Sequence, residues 1–165
     1  MNLYLLRHGI AAERTALTPE PDRPLTPEGE HKLERAAKAM QGLELTFDLI
    51  LSSPYVRARQ TAEIVAEAFD AGKRLHFSDA LAPAGNHKEL IAGINQFTPP
   101  PENVLLVGHE PSLSELISLL LSGSPSLSIV MKKGGLCKLT VQSLKPGRCA
   151  MLEWLLTGKQ LGRIT

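Results

Sequence analysis

Three short stretches of this sequence place arginine and histidine side chains directly after apolar runs. Arg7 and His8 follow the first run, Arg57 comes shortly after the second, and His109 follows a later one. Two guanidinium groups and two imidazoles would together bind a doubly charged anion, and the planar fork of arginine suits phosphate better than the point charge of lysine. His109 also precedes a predicted helix, whose N-terminal N–H groups and dipole favour an anion. If their elements are neighbours, these stretches predict a phosphate pocket.

Helical register strengthens the case for Arg57. On a helix that starts near residue 54, position 57 shares a stripe with Ile64, Val65 and Ala68, which marks that stripe as the core face. A cation is costly there unless an anion meets it. The alternative is that Arg57 pairs with a carboxylate such as Asp48. Arg7 and His8, taken singly, also have simpler interpretations as a strand-end charge and a structural histidine.

The elements that must position these residues alternate between strands and helices through two thirds of the chain. Residues 3–6 and 104–107 are continuous apolar runs and 48–51 is apolar after Asp48, as expected of strands covered on both faces. The pattern predicts an α/β fold, a three-layer sandwich with a mostly parallel central sheet and helices on both faces, in one domain over residues 1–165. Ligands bind outside the carboxyl ends of such strands, where the three stretches lie.

Capping signals and apolar runs predict the remaining boundaries. Thr26 and Pro27 open a first helix, Ser53 and Pro54 open a second that ends near residue 69, and Ser112 has the spacing of a capping box with Glu115. Further strands are predicted at 127–131, 136–141 and 150–155, after a weak one at 74–77.

Composition excludes several classes of protein. A formal net charge of +1 leaves no broad basic surface for nucleic acid or an anionic membrane, so anion binding must be local. The apolar start is too short for a signal peptide and no run is long enough to span a bilayer, so we expect a soluble, cytoplasmic protein. Cys137 and Cys149 suit free thiols in a reducing compartment. The histidines lack metal-ligand spacing, and no P-loop or GxGxxG stretch is present, so no metal or nucleotide cofactor is expected.

Taken together, three motifs, each at a strand end, resemble those of one family. They are Arg7-His8-Gly9, Ser53-Pro54-x-x-Arg57-Ala58-x-Gln60-Thr61-Ala62, and Gly108-His109. This set resembles the histidine phosphatase superfamily, which is also called phosphoglycerate mutase-like. The chain length, Arg23-Pro24-Leu25-Thr26 and Leu81-x-Pro83-x-Gly85 resemble the SixA-type branch of small phosphohistidine phosphatases.

The resemblance implies phosphoryl transfer without a metal or another cofactor, in which His8 is the nucleophile and is transiently phosphorylated. Arg7, Arg57 and His109 would hold the phosphoryl oxygens. An imidazole suits this role because its unperturbed pKa of about 6.5 leaves it mostly neutral near pH 7. The expected substrate is a phosphorylated histidine on a signalling or phosphotransfer protein, and we expect a monomer. The alternatives are a phosphomonoesterase for a small phosphorylated metabolite and a non-catalytic phosphate-binding module.

The chain departs from the superfamily pattern at two places. Larger members carry an acid that protonates an alcohol leaving group, whereas the loop at 81–85 has no carboxylate and Glu89 lies beyond it. An imidazole leaving group has less need of an acid, so this departure favours phosphoramidate substrates. The second departure is Ile10, where SixA-type relatives often have an acid, and Glu13 is the candidate to replace it.

Two further residues carry site predictions. Gly9 has no Cβ, so we expect its backbone to turn tightly and to approach the phosphoryl group. Arg23 is either another phosphate or protein contact or part of a salt bridge that precedes the first helix.

Overall fold

The computed structural model describes residues 1–164 and contains a six-stranded sheet with helices on both faces. The strands are β1 (Asn2–Arg7), β2 (Leu49–Ser52), β3 (Leu75–Phe77), β4 (Asn103–Gly108), β5 (Leu136–Val141) and β6 (Ala150–Leu156). The helices are α1 (Pro27–Gly42), α2 (Val56–Ala68), α3 (His87–Asn95), α4 (Ser112–Ser122) and the short α5 (Gly158–Leu161). Three single 3-10 turns cover Glu20–Asp22, Gly72–Arg74 and Asp79–Leu81.

The sheet has the strand order β3-β2-β4-β1-β5-β6. Its first four strands are parallel, and β5 and β6 are added antiparallel at one side. The central strands β1, β2 and β4 are buried along almost their whole length, which is why their sequences are apolar without alternation. The predicted fold class, a mostly parallel α/β sandwich, is therefore confirmed.

Each face of the sheet has its own hydrophobic core. Leu3 and Leu5 of β1 pack in the layer that contains α3 and α4, whereas Tyr4 and Leu6 point to the opposite layer, which contains α1, α2 and α5. Successive side chains of a strand face opposite sides, so one short strand anchors both layers. The two layers fix the helices whose N-terminal ends lie beside the carboxyl ends of β2 and β4.

The first helix is tied closely to the chain that follows β1. Thr26 Oγ1 accepts a hydrogen bond from Gly29 N (3.0 Å), which confirms the predicted cap. The carbonyl of Ile10 accepts from Thr26 N (2.9 Å). A Cβ on Gly29 would lie 2.3 Å from that carbonyl oxygen, so only glycine permits this approach. Ile10 thus has a structural role through its backbone.

The strand predicted at 127–131 is wrong. Ser118 Oγ, on α4, donates to Ser124 O and accepts from Leu127 N, while Met131 O accepts from an arginine side chain. Because these backbone groups bond to side chains, they are not available to a strand ladder. Leu127 and Val130 are also exposed, so only part of this apolar segment, with Met131 buried and Ile129 packed against it, belongs to the core.

Two predicted helix caps are also wrong. The second helix begins at Val56, and the hydroxyl of Ser53 lies outside it, where it accepts from Tyr55 N (3.2 Å). Ser112 lies inside its helix and does not cap it. The carboxylate of Glu110 takes this role by accepting hydrogen bonds from the backbone N and the hydroxyl of Ser114. The correct capping group therefore comes from the residue directly after the predicted site histidine.

Both cysteines are free thiols, as predicted. Cys137 is buried in β5, and burial raises the pKa of its thiol to about 12, whereas Cys149 is half-buried. Within residues 1–164, none of the helices combines the length and the apolar character needed to cross a membrane.

Candidate active site

The three predicted stretches meet at one edge of the sheet because their strands are neighbours. In the strand pairing Arg7 lies beside Gly108, and Ser52 lies beside Val107, so β1, β4 and β2 end side by side. The loops that follow them surround a cavity of about 380 Å³. It is lined by Arg7, His8, Arg14, Glu20, Arg23, Tyr55, Arg57, Pro83, His109, Glu110 and Lys133.

His8 is held by its backbone and by one ring nitrogen. Its N–H donates to Gly108 O (3.1 Å), and its Nδ1 lies 2.7 Å from Gly9 O. Because a carbonyl only accepts, Nδ1 carries the proton and Nε2 keeps its lone pair. Burial and the nearby charges of Arg57, Arg7 and Lys133 lower the pKa of His8 to about 4. The ring is therefore neutral at pH 7 with a nucleophilic nitrogen available.

His109 faces His8 across the cavity. The two ring centroids are 5.1 Å apart, and His109 Nε2 lies 2.8 Å from the hydroxyl of Ser53. Burial is the main reason that the pKa of His109 falls to about 3, and His8 and Arg57 lower it further. A dianion beside this ring would raise the pKa of His109 again, because it stabilises the protonated imidazolium.

Arg57 is almost fully buried, as its register predicted, with an exposed fraction of 4%. Its partner is Glu20 and not Asp48. Arg57 Nη1 donates to Glu20 O (2.9 Å), and Nη2 lies 3.1 Å from Glu20 Oε1. The Asp48 carboxylate instead accepts from the backbone N–H groups of Glu102 and Asn103. The alternative that Arg57 pairs with a carboxylate is thus confirmed, but the carboxylate belongs to Glu20 and not to Asp48.

Several buried nitrogens around this cavity have no hydrogen-bond partner among residues 1–164. They are Arg7 Nε, Arg23 Nε, Arg57 Nε and His109 Nδ1. Leaving a buried donor unsatisfied is costly, and a guanidinium nitrogen can only donate. The oxygens of a tetrahedral anion would satisfy such donors together. The three guanidinium nitrogens in this set indicate that the cavity suits an anion such as phosphate.

The loop between β1 and α1 contributes residues that the sequence did not single out. Glu20 pairs with Arg23 (2.8 Å) and Arg14 (3.1 Å) in addition to Arg57. The hydrogen bond from Arg23 is the main reason that the pKa of Glu20 is lowered, so its carboxyl group is ionised. Arg23 therefore forms the salt bridge that was one of its two interpretations and also lines the cavity, while its contact with phosphate stays a prediction. No helical or strand period marks Glu20, so sequence patterning could not find it.

Glu13, the candidate substitute acid, and Glu89, which follows the acid-free loop at 81–85, do not lie in this cavity. Glu13 and Glu89 are both exposed, and neither is among its lining residues. Gly9 is buried, and a Cβ there would lie 2.7 Å from Leu33 Cδ1, so packing against α1 explains the glycine better than a tight turn. Gly9 lines a neighbouring groove, and its contact with phosphate stays a prediction.

One hydroxyl couples the turn after β1 to α2. Thr61 Oγ1 accepts from Gly9 N (3.2 Å) and donates to Arg57 O (2.7 Å). The backbone next to the nucleophile is thereby fixed relative to the helix that carries Arg57. In the part of the chain that the structure describes, no three His, Cys, Asp or Glu side chains are grouped so that they could hold a metal ion.

The two buried histidines predict a pH dependence of stability. Their folded pKa values, about 4 and about 3, lie below the unfolded value of about 6.5. Between these pKa values the unfolded chain binds protons that the folded chain excludes. The contribution of the two histidines to the free energy of unfolding should therefore be largest above pH 6.5 and decrease as the pH drops. The slope should reach at most about 1.4 kcal/mol per pH unit for each histidine.

Urea unfolding of the wild type and of the variant His8→Gln/His109→Gln from pH 7 to pH 4.5 measures this slope. We expect a clearly shallower slope in the variant, because neither glutamine titrates. Equal slopes in the two proteins would show that these rings do not control acid stability.

Known proteins resemble this chain both in sequence and in structure. A family model described as histidine phosphatase superfamily (branch 1) matches residues 3–83. An uncharacterized protein of Picosynechococcus sp. is 39% identical over 137 residues, which is 82% of each chain. Phosphohistidine phosphatase SixA of Escherichia coli K12 is 28% identical over 124 residues, 74% of this chain and 76% of that one. The solved structure of the protein histidine phosphatase SixA complexed with tungstate has a TM-score of 0.82 and 25% identity, and the match covers 98% of this chain and 99% of the other.

Proposed function

Because this chain is a phosphatase that belongs to the histidine phosphatase superfamily, we propose that it hydrolyses phosphohistidine on a protein, with His8 as the nucleophile. The cavity supports this proposal with a neutral imidazole and with buried nitrogens on Arg7, Arg57 and His109 that have no hydrogen-bond partner among residues 1–164. The similarity to SixA, which was solved with the oxyanion tungstate, points to the same substrate class.

In the first step, His8 Nε2 donates its lone pair to phosphorus. The bond between phosphorus and the substrate nitrogen breaks, and its electron pair returns to the substrate imidazole. That ring leaves as a neutral imidazole after it takes up one proton from water. The donors of Arg7, Arg57 and His109 hold the phosphoryl oxygens, so that charge is stabilised as it spreads over them.

In the second step, water attacks phosphorus on the opposite side from His8. The bond to Nε2 breaks, His8 regains its lone pair, and inorganic phosphate leaves as the water gives up a proton. Two displacements replace one, and the protein supplies positioning and electrostatics to both. The hydrogen bond from His8 Nδ1 to Gly9 O keeps Nε2 directed to the same point in each.

The observation that favours phosphohistidine over a phosphate ester is that neither carboxylate in the cavity is free to donate a proton. An alcohol leaving group needs an acid, but Glu20 is held ionised by its arginine partners. Glu110, the second carboxylate in the cavity, uses one oxygen for Ser114 N and the other for Ser114 Oγ. Neither group is placed as a proton donor, whereas an imidazole leaves without one from the protein. The site therefore suits a phosphoramidate better than an ester.

A small-molecule phosphomonoesterase is the second candidate. The observation that favours it is the presence of two carboxylates in the cavity lining, of which Glu20 lies on the long loop between β1 and α1. If that loop released the Glu20 carboxylate from its arginines, an acid would become available beside the leaving group.

Two synthetic peptides of one sequence separate the candidates, one with a single phosphohistidine and the other with phosphoserine at the same position. We expect kcat/KM to be at least about 100-fold higher for phosphohistidine, because the general acid that the ester needs contributes at least that factor. Phosphate release measures both rates.

Equal or faster hydrolysis of the phosphoserine peptide would overturn the proposal in favour of the phosphomonoesterase. Binding of both peptides without phosphate release from either would instead identify a non-catalytic phosphate-binding module.

A further inference from the structure

A second and larger cavity, of about 720 Å³, lies directly beside the candidate active site. It is bounded by α1, by the turn that precedes β5 and by the C-terminal segment around α5. We call it the basic groove. The cations that line it, apart from Arg7 at its inner end, are Lys32, Arg35, Lys132, Lys133, Lys159 and Arg163.

The charge of the basic groove is not balanced from within. Among residues 1–164, none that line it carries a carboxylate, although the whole chain has a formal charge of only +1. Lys32 pairs with Glu28, and Arg35 donates to Gly162 O. The other four cations form no ion pair within residues 1–164. Basic side chains are therefore concentrated in the basic groove, and the remaining residues together have a negative formal net charge.

The shape of the basic groove indicates what kind of anion it would hold. Its floor includes the buried side chains of Leu33 and Ala36, while Lys132, Lys159 and Arg163 are exposed at its rim. A small-ligand site normally fixes its ligand with a few precisely placed polar groups. Long exposed cations around an apolar floor instead suit a segment of another protein that carries several carboxylates, because such charges steer association.

The basic groove is continuous with the candidate active site. Arg7 and Lys133 line both cavities. The turn that carries Lys133 is hydrogen-bonded to the backbone of the predicted nucleophile, since Gly134 N donates to Arg7 O (3.1 Å) and His8 O (3.2 Å). A chain whose phosphoryl group lies against His8 can therefore extend past Arg7 into the groove without leaving the protein surface.

We propose that the basic groove binds an acidic segment that flanks the phosphohistidine of the protein substrate. This inference rests on the proposed function, because it places the rest of the substrate once the phosphoryl group is at His8. It assigns a docking role to cations on α1, on the turn before β5 and at the C-terminal end.

Three probes test this proposal, namely free phosphohistidine and two phosphohistidine peptides that differ only in four flanking residues, all glutamate or all glutamine. For the wild type we expect kcat/KM to be about tenfold higher for the glutamate peptide at low salt, in the range that electrostatic steering supplies. The preference should disappear in about 0.5 M KCl, where charges are screened beyond a few ångströms.

The variant Lys132→Glu/Lys159→Glu/Arg163→Glu should remove this preference or reverse it. Lys133 is left unchanged because it also lines the active-site cavity. The matched control is Lys73→Glu, which reverses an exposed charge at the opposite end of the sheet and should keep the preference. The ratio between the peptides is internal to each protein, and the salt dependence of the wild type tests the proposal even if the triple variant does not fold.

The outcomes distinguish the two proposals. If wild-type enzyme hydrolyses free phosphohistidine but treats the two peptides equally, the docking proposal is overturned and the proposed function stands. If no phosphohistidine probe is hydrolysed, the proposed function fails, and anisotropy with the unphosphorylated glutamate peptide still tests the groove, since the triple variant should lose that binding. Binding of inorganic tripolyphosphate without binding of the glutamate peptide would overturn docking in favour of a small polyanion.

Discussion

Replacing His8 with alanine should lower the rate of phosphohistidine hydrolysis by at least about 1000-fold, because the covalent route loses its nucleophile. Arg7, Arg57 and His109 remain in the variant, so tungstate binding should persist. Mixing the wild type with a phosphohistidine peptide labelled with ³²P and quenching in alkali should trap acid-labile phosphate on the protein. The variant should show none.

The matched control is His31→Ala, which removes an exposed imidazole on α1 and should leave both labelling and turnover at the wild-type level. Acid-labile phosphate on the His8→Ala protein at the wild-type level would mean that another residue is the nucleophile. Undiminished turnover without labelling would mean direct attack by water.

The second large effect is expected at Arg57. The variant Arg57→Ala should lower kcat/KM by about 100- to 1000-fold, because a buried donor to the developing charge is lost, and removal of one such donor in other enzymes has this cost. Arg57→Lys should recover only part of it, since a lysine places one point charge where the guanidinium offers a planar fork. Phosphate release under single-turnover conditions measures the effect on the chemical step.

Arg59→Ala is the control for this variant. It lies two residues further along α2, is exposed and is 3.7 Å from Glu63, so its loss should change kcat/KM less than twofold. If Arg57→Lys matched the wild type, geometry would not matter at this position and the fork argument would be wrong. Equal losses in Arg57→Ala and Arg59→Ala would point to a general loss of positive charge.

The parts of the fold that follow from local patterns were predictable. Continuous apolar runs identified the buried strands, and the helical register placed Arg57 on the core face, where it is found. The rule that ligands bind at the carboxyl ends of parallel strands predicted that Arg7, His8 and His109 would meet only if their strands were neighbours. The period of a segment does not give the strand order, which came from the family resemblance.

Two of the misses have a different cause, since they depend on contacts between separate segments. Apolar character at 127–131 resembled a strand, but strand formation needs a free ladder partner, and α4 and Arg7 occupy those backbone groups instead. Ser53 looked like a cap, yet its hydroxyl contacts His109. Helix α5 did have a local signal, because Thr157 and Gln160 form a capping box.

Under the proposed function, the pairing of Glu20 with the cavity arginines would make substrate entry an exchange of ions. Its carboxylate lies within 3.1 Å of nitrogens on Arg14, Arg23 and Arg57, so a phosphoryl group that takes these partners must displace an anion already present. The net affinity is then a difference between two similar interactions. Inorganic phosphate is not linked to a docked protein, so it has no second contact that would offset the competition from Glu20. Under the proposed function, Glu20 would compete with inorganic phosphate for these arginines and so favour release of the product.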